Sequence, residues 1–71
     1  MLEKYSIALE RIELNNGGLT VIKDINDETI KSITIGFKYR LVMIEYENEE
    51  LVTFYNLNKF TSFSIKGKKD E

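Results

Sequence analysis

Asn15-Asn16-Gly17-Gly18 limits what this chain can become more than any other four residues in it. Asn-Gly accepts positive φ at the central positions of a hairpin turn, and apolar residues alternate with polar ones on both sides. The segment before it, Tyr5 to Leu14 (YSIALERIEL), carries two competing periods. Leu2, Tyr5, Leu9 and Ile12 fall at helical spacing, whereas Tyr5, Ile7 and Leu9, then Ile12 and Leu14, alternate as a strand does. The reversal decides between them: a strand ending near Leu14 is expected to pair with Leu19–Ile25, with a first helical turn near the N-terminus as the competing local form.

Further along, Asp24-Ile25-Asn26-Asp27-Glu28 is polar and acidic and reads as a turn. Asn26 or Asp27 is also able to cap a single helical turn through Ser32, because short acceptor side chains satisfy free N–H groups. Ile33 to Tyr46 is the longest strand candidate. Ile33, Ile35, Phe37, Tyr39, Leu41 and Met43 share one parity, and Val42, Ile44 and Tyr46 then bring the other face into apolar use. A strand that changes its buried face is expected to bend or bulge, with Gly36 near its start. Turns follow at Glu47-Asn48-Glu49-Glu50 and Asn56-Leu57-Asn58-Lys59. Strands are expected at Leu51–Tyr55 and Phe60–Lys66, the latter with Phe63 and Ile65 inward and Ser62 and Ser64 outward. The fold class is therefore mainly all-β: a small curled antiparallel meander or open barrel of about five strands, with a short N-terminal or mid-chain helical turn. Residues 1–66 form a single small β domain, and 67–71 read as a flexible charged tail.

Size sharpens this expectation. A chain of 71 residues buries only about 60% of the surface its unfolded form exposes, so its core is marginal. Disulfides, a metal or self-association usually supply the remainder. With no Cys and no His, the first two are closed in their common forms, and a homodimer or higher homo-oligomer is expected. A well-packed monomer is the alternative. The first five residues carry an acid and no signal-peptide core, and no run approaches the about 20 apolar residues of a membrane span, which points to the cytoplasm.

Absent chemistry is equally informative. Ser–His and Cys–His pairs cannot form, and a Ser–Lys pair among Ser62, Ser64 and Lys66 would sit on an exposed strand face. The Asn-Gly segment lacks the spacing of a phosphate loop. Asp24, Asp27 and Glu28 offer oxygen ligands for Ca²⁺ or Mg²⁺ but match no recognised loop, and a solvated acidic turn is the stronger reading. No enzyme activity, cofactor or metal is expected.

Charge and aromatics remain. Net charge is −2, yet Glu45, Glu47, Glu49 and Glu50 gather at one tip while Lys59, Lys66, Lys68 and Lys69 gather toward the C-terminus. Tyr5, Phe37, Tyr39, Tyr46, Phe54, Tyr55, Phe60 and Phe63 exceed the obvious needs of a small core, and of these Tyr39, Tyr46 and Tyr55 suit an interface, where a rigid ring with a polar tip is favoured. These seven positions (the four glutamates and three tyrosines) are the candidate partner-binding residues. The expected function is a non-enzymatic protein-interaction module, of the type that phages and mobile elements encode to inhibit host or defence proteins. The alternative is an oligomeric small-barrel binder of nucleic acid or nucleotides, using Lys38 and Arg40 beside Tyr39 and Tyr55.

Overall fold

Apolar residues alternate with polar ones in the segments between the turns, and each such segment is a strand. The computed structural model describes residues 6–47 and 50–68. Within them the elements are β1 (Ser6–Asn16), β2 (Leu19–Asp24), β3 (Ile30–Gly36), β4 (Leu41–Tyr46), β5 (Val52–Asn56), a 3₁₀ turn (Leu57–Lys59) and β6 (Ser62–Gly67). All pairings are antiparallel, in the order β2-β1-β3-β4-β5, with β6 also paired to β1. This is the expected mainly-β curled sheet.

Curling begins in β1. Its first part pairs with β3 (Ile7↔Ile35, Leu9↔Ile33), and its second part is flanked by β2 (Leu14↔Val21) and β6 (Leu14↔Phe63). The β1–β6 register shifts between Leu9 and Arg11, so the buried residues change parity from Leu9 to Ile12 and Leu14. A bulge there bends the strand, which lets one ribbon serve two parts of the sheet. The apparent helical spacing of Leu9 and Ile12 is this bulge.

The sheet folds over Leu9, Ile12, Leu14, Ile30, Ile33, Ile35, Val42, Ile44 and Leu57, all buried. Leu57 enters from the 3₁₀ turn and is only 2% exposed. The turn is held at both ends of its path. Leu57 N–H donates to the Arg40 carbonyl at 2.8 Å, and Thr61 N–H donates to the Asn15 carbonyl at 2.8 Å.

Several expectations need correction. The long strand at Ile33–Tyr46 is two strands, because Phe37–Arg40 reverses the chain: Gly36 pairs with Leu41, and Arg40 N–H donates to the Phe37 carbonyl at 3.3 Å. The change of buried face is therefore a hairpin and not a bend. The only helical turn among the described residues is at Leu57–Lys59; Asp24–Thr29 forms hydrogen-bonded turns instead. At the first hairpin, Gly17-Gly18 rather than Asn-Gly forms the loop, since Asn16 pairs with Leu19. Gly17 alone takes positive φ (65°) there, which fits a turn needing it only at its first central residue. Gly67 belongs to β6, opposite Leu9, so that strand ends one residue beyond the expected Lys66. Ile65 lies opposite the buried Ile12, on the inward side as expected, yet is 41% exposed. The expected N-terminal helical turn at Leu2–Tyr5 lies outside the described residues.

Candidate functional site

Cross-strand partners share a face of the sheet, so the registers sort every side chain as inward or outward. In β3–β5 the inward rows are Ile33–Ile44–Thr53 and Ile35–Val42–Tyr55. The outward rows are Thr34–Met43–Phe54, which Ala8 of β1 extends, and Ser32–Glu45–Val52. Leu41 lies on the same outward face beside Gly36 and Asn56. The row Ala8–Thr34–Met43–Phe54 contains no charge, and Phe54 is 59% exposed.

Behind β2, β1 and β6 the outward face differs. There Arg11 lies between Asp24 of β2 and Lys66 of β6, and Glu13 lies between Ile22 and Ser64. Arg11 donates to Glu13 at 2.8 Å and to Asp24 at 3.3 Å, and Lys66 reaches Glu10 at 3.3 Å. The Glu13 hydrogen bond is the first reason that the guanidinium holds its proton more firmly than usual. A shallow open depression of about 240 Å³ follows this face, lined by Arg11, Glu13, Ser64, Ile65 and Lys66.

The acidic turn is occupied by its own backbone. Asp24 accepts from Asn26 N–H at 2.9 Å, and Asp27 accepts from Thr29 N–H at 2.9 Å and Thr29 Oγ at 2.7 Å. These bonds come first in lowering both carboxyls below their ordinary value of 3.8, with Arg11 adding to the effect on Asp24 and Lys23 to that on Asp27. Among the described residues, no group of three acidic, His or Cys side chains is placed to hold a metal. Ser62, Ser64 and Lys66 are exposed.

The sequence-derived binding residues separate into four places. Glu47 and Glu50 are exposed at the β4–β5 connection, and Glu49 lies outside the described residues. Glu45, on the outward face of β4, accepts from Ser32 Oγ at 2.6 Å. Tyr46 and Tyr55 are half-buried against the core; Lys23 Nζ stands 6.0 Å from the Tyr46 ring centroid, and Tyr55 meets Phe60 edge-on at 6.3 Å. Tyr39 is 60% exposed at the far hairpin tip. Its neighbours are Lys38, whose Nζ lies 5.6 Å from the Tyr39 centroid, and Arg40, whose Nε donates to Asn58 Oδ1 at 2.6 Å. Lys38, Tyr39 and Arg40 thus share one tip, while Tyr55 faces inward and does not join them.

Phe54, Met43 and Leu41 were not among the sequence-derived candidates. The signal for Phe54 was apolar residues on both faces of Leu51–Tyr55; Leu41 and Met43 were hidden in the continuous parity from Ile33 to Met43. No helix among the described residues is long and apolar enough to cross a membrane. No protein-family profile, no characterised protein and no solved structure matches this chain.

Proposed function

We propose that this protein is a non-enzymatic interaction module that docks on another protein through the outward face of β3–β5. The observation that carries the reading is the uncharged row Ala8–Thr34–Met43–Phe54, flanked by Leu41 and Val52. Contiguous exposed apolar patches mark contact surfaces, and here the exposed Phe54 and Val52 stand beside the half-buried Met43 and Leu41. A module of this size acts by occupying its target, as small protein inhibitors do. The acidic side chains Glu47 and Glu50 at the end of this face steer the encounter and set orientation rather than supply affinity.

Immobilised protein is the test. Wild type and Ser64→Lys, changed on the outward face of the β2–β1–β6 half, are expected to retain the same partner, while Thr34→Lys and Leu41→Lys lose it. Retention by both outward-face variants together with loss on Glu47→Lys/Glu50→Lys would move the site to the acidic tip and overturn this placement.

One observation favours a second reading, the binding of nucleic acid: Lys38, Tyr39 and Arg40 stand together on an exposed tip. A basic pair interleaved with an aromatic ring suits single strands. Salt-dependent oligonucleotide binding that falls with Lys38→Glu/Arg40→Glu would support it, and no binding at low salt would remove it.

A further inference from the structure

Three strands of this sheet have a single partner: β2 and β6 pair only with β1, and β5 pairs only with β4, among the described residues. An exposed edge offers unpaired N–H and C=O groups to any other strand, and sheets ordinarily blunt it with charge. β2 has Lys23 and Asp24, and β6 has Lys66. β5 is Val52-Thr53-Phe54-Tyr55-Asn56, without a charge, a proline or a glycine.

The two ends of that edge have opposite sign. Glu50 and Glu47 lie at the end where β5 begins. Lys59 and Arg40 lie where it ends, Arg40 being fixed there by its carbonyl, 2.8 Å from Leu57 N, and by its Nε bond to Asn58. A strand with an acidic start and a basic finish is complementary to itself when reversed.

We propose that β5 pairs antiparallel with β5 of a second copy of this chain, across a two-fold axis at Phe54. In that register Val52 faces the copy's Asn56 and Thr53 faces its Tyr55. Glu50 falls opposite the copy's Asn58, next to its Lys59. Symmetry makes each such contact occur twice, so one surface answers itself on both sides. The two sheets become continuous, and the outward rows of both copies merge into one surface twice as wide. That last consequence rests on the docking reading above; the pairing itself does not.

Solution mass over a dilution series of the full chain, with variants, is the experiment. Wild type is expected to show the mass of two chains at high concentration and dissociate on dilution. Phe54→Lys is expected to stay at one chain while keeping the wild-type β-sheet circular dichroism. Glu50→Lys and Lys59→Glu are each expected to weaken the dimer by about 2- to 30-fold, the effect of one exposed pair doubled by symmetry, and Glu50→Lys/Lys59→Glu is expected to restore it. Because the chain has no Cys, Phe54→Cys carries a single thiol, which should form a disulfide-linked dimer on mild oxidation, whereas Val52→Cys should not. A single-chain mass at every concentration overturns the proposal. So does a dimer that survives Phe54→Lys, or one that cross-links through Ile22→Cys on β2. Loss of the dimer with retained partner capture would leave the docking reading standing; loss of capture by Thr34→Lys in an intact dimer would not touch the pairing.

Discussion

The two halves of this small sheet treat water differently. Behind β2, β1 and β6 the outward face carries ion pairs, Arg11 with Glu13 and Asp24 and Lys66 with Glu10, beside the exposed Ile22. Behind β3, β4 and β5 the corresponding positions are Thr34, Met43, Phe54, Leu41 and Val52, with Glu45, bonded to Ser32, as the one charge on those rows. Both halves close on one core, so the contrast does not come from packing needs. The ion-paired half is the solvent half, and the half that carries the proposed docking row is the contact half.

The shared core sets the largest expected effects. Ile44→Ala in the contact half and Leu14→Ala in the solvent half should each cost about 2–5 kcal/mol, read from urea unfolding, because each removes fully buried methyl groups. Equal, cooperative losses would confirm that the halves fold together. A loss confined to one half's spectroscopic signals would break the comparison.

The hairpin tips come next. Gly17 sits at φ 65° with open space where a Cβ would go, so Gly17→Ala isolates backbone strain and should cost about 1–2 kcal/mol. At the other tip Arg40 already holds φ 56°, so Arg40→Gly relieves a strain of that kind but loses the bond to Asn58; the net change in thermal stability is expected to stay below about 1 kcal/mol. A large loss at Arg40 would mean that the second tip depends on its side chain more than on its strands.

Those tips also explain what the sequence could and could not disclose. The first reversal is written locally, in Gly17-Gly18 after two asparagines. Phe37-Lys38-Tyr39-Arg40 contains no Gly, Pro, Asn or Asp, and an arginine takes the left-handed position. Cross-strand burial of Ile33 with Ile44 and of Ile35 with Val42 imposes the turn from a distance, and a continuous apolar parity through Met43 concealed it. The shift of buried residues from odd to even numbers was the visible trace of that reversal, as it was of the bulge in β1. Leu57 was hidden for a related reason: a single apolar residue in a polar turn gives no period. Of the candidate site, the acidic and basic tips were legible as charge. The outward row was not, because an alternating apolar strand does not say which of its faces is covered.

The smallest expected effect is electrostatic and belongs to the solvent half and its turn. Asp24 and Asp27 bind protons less readily folded than unfolded, chiefly through the N–H groups of Asn26 and Thr29. A lowered folded value stabilises the fold fully above the ordinary 3.8 and loses that contribution as pH falls through the lowered value. Thermal unfolding should therefore be flat near neutrality and decline in acid, with Asp24→Asn/Asp27→Asn showing a shallower decline. An equally steep acid decline in that variant would assign the effect to other carboxylates.

Amide hydrogen exchange, measured at two protein concentrations, tests most directly whether the contact half is open for pairing. The outward-pointing amides of β5 are expected to slow as concentration rises, while the free edges of β2 and β6 exchange at unchanged rates. Exchange in β5 that ignores concentration, or slowing that appears on β2 or β6 instead, would contradict the account.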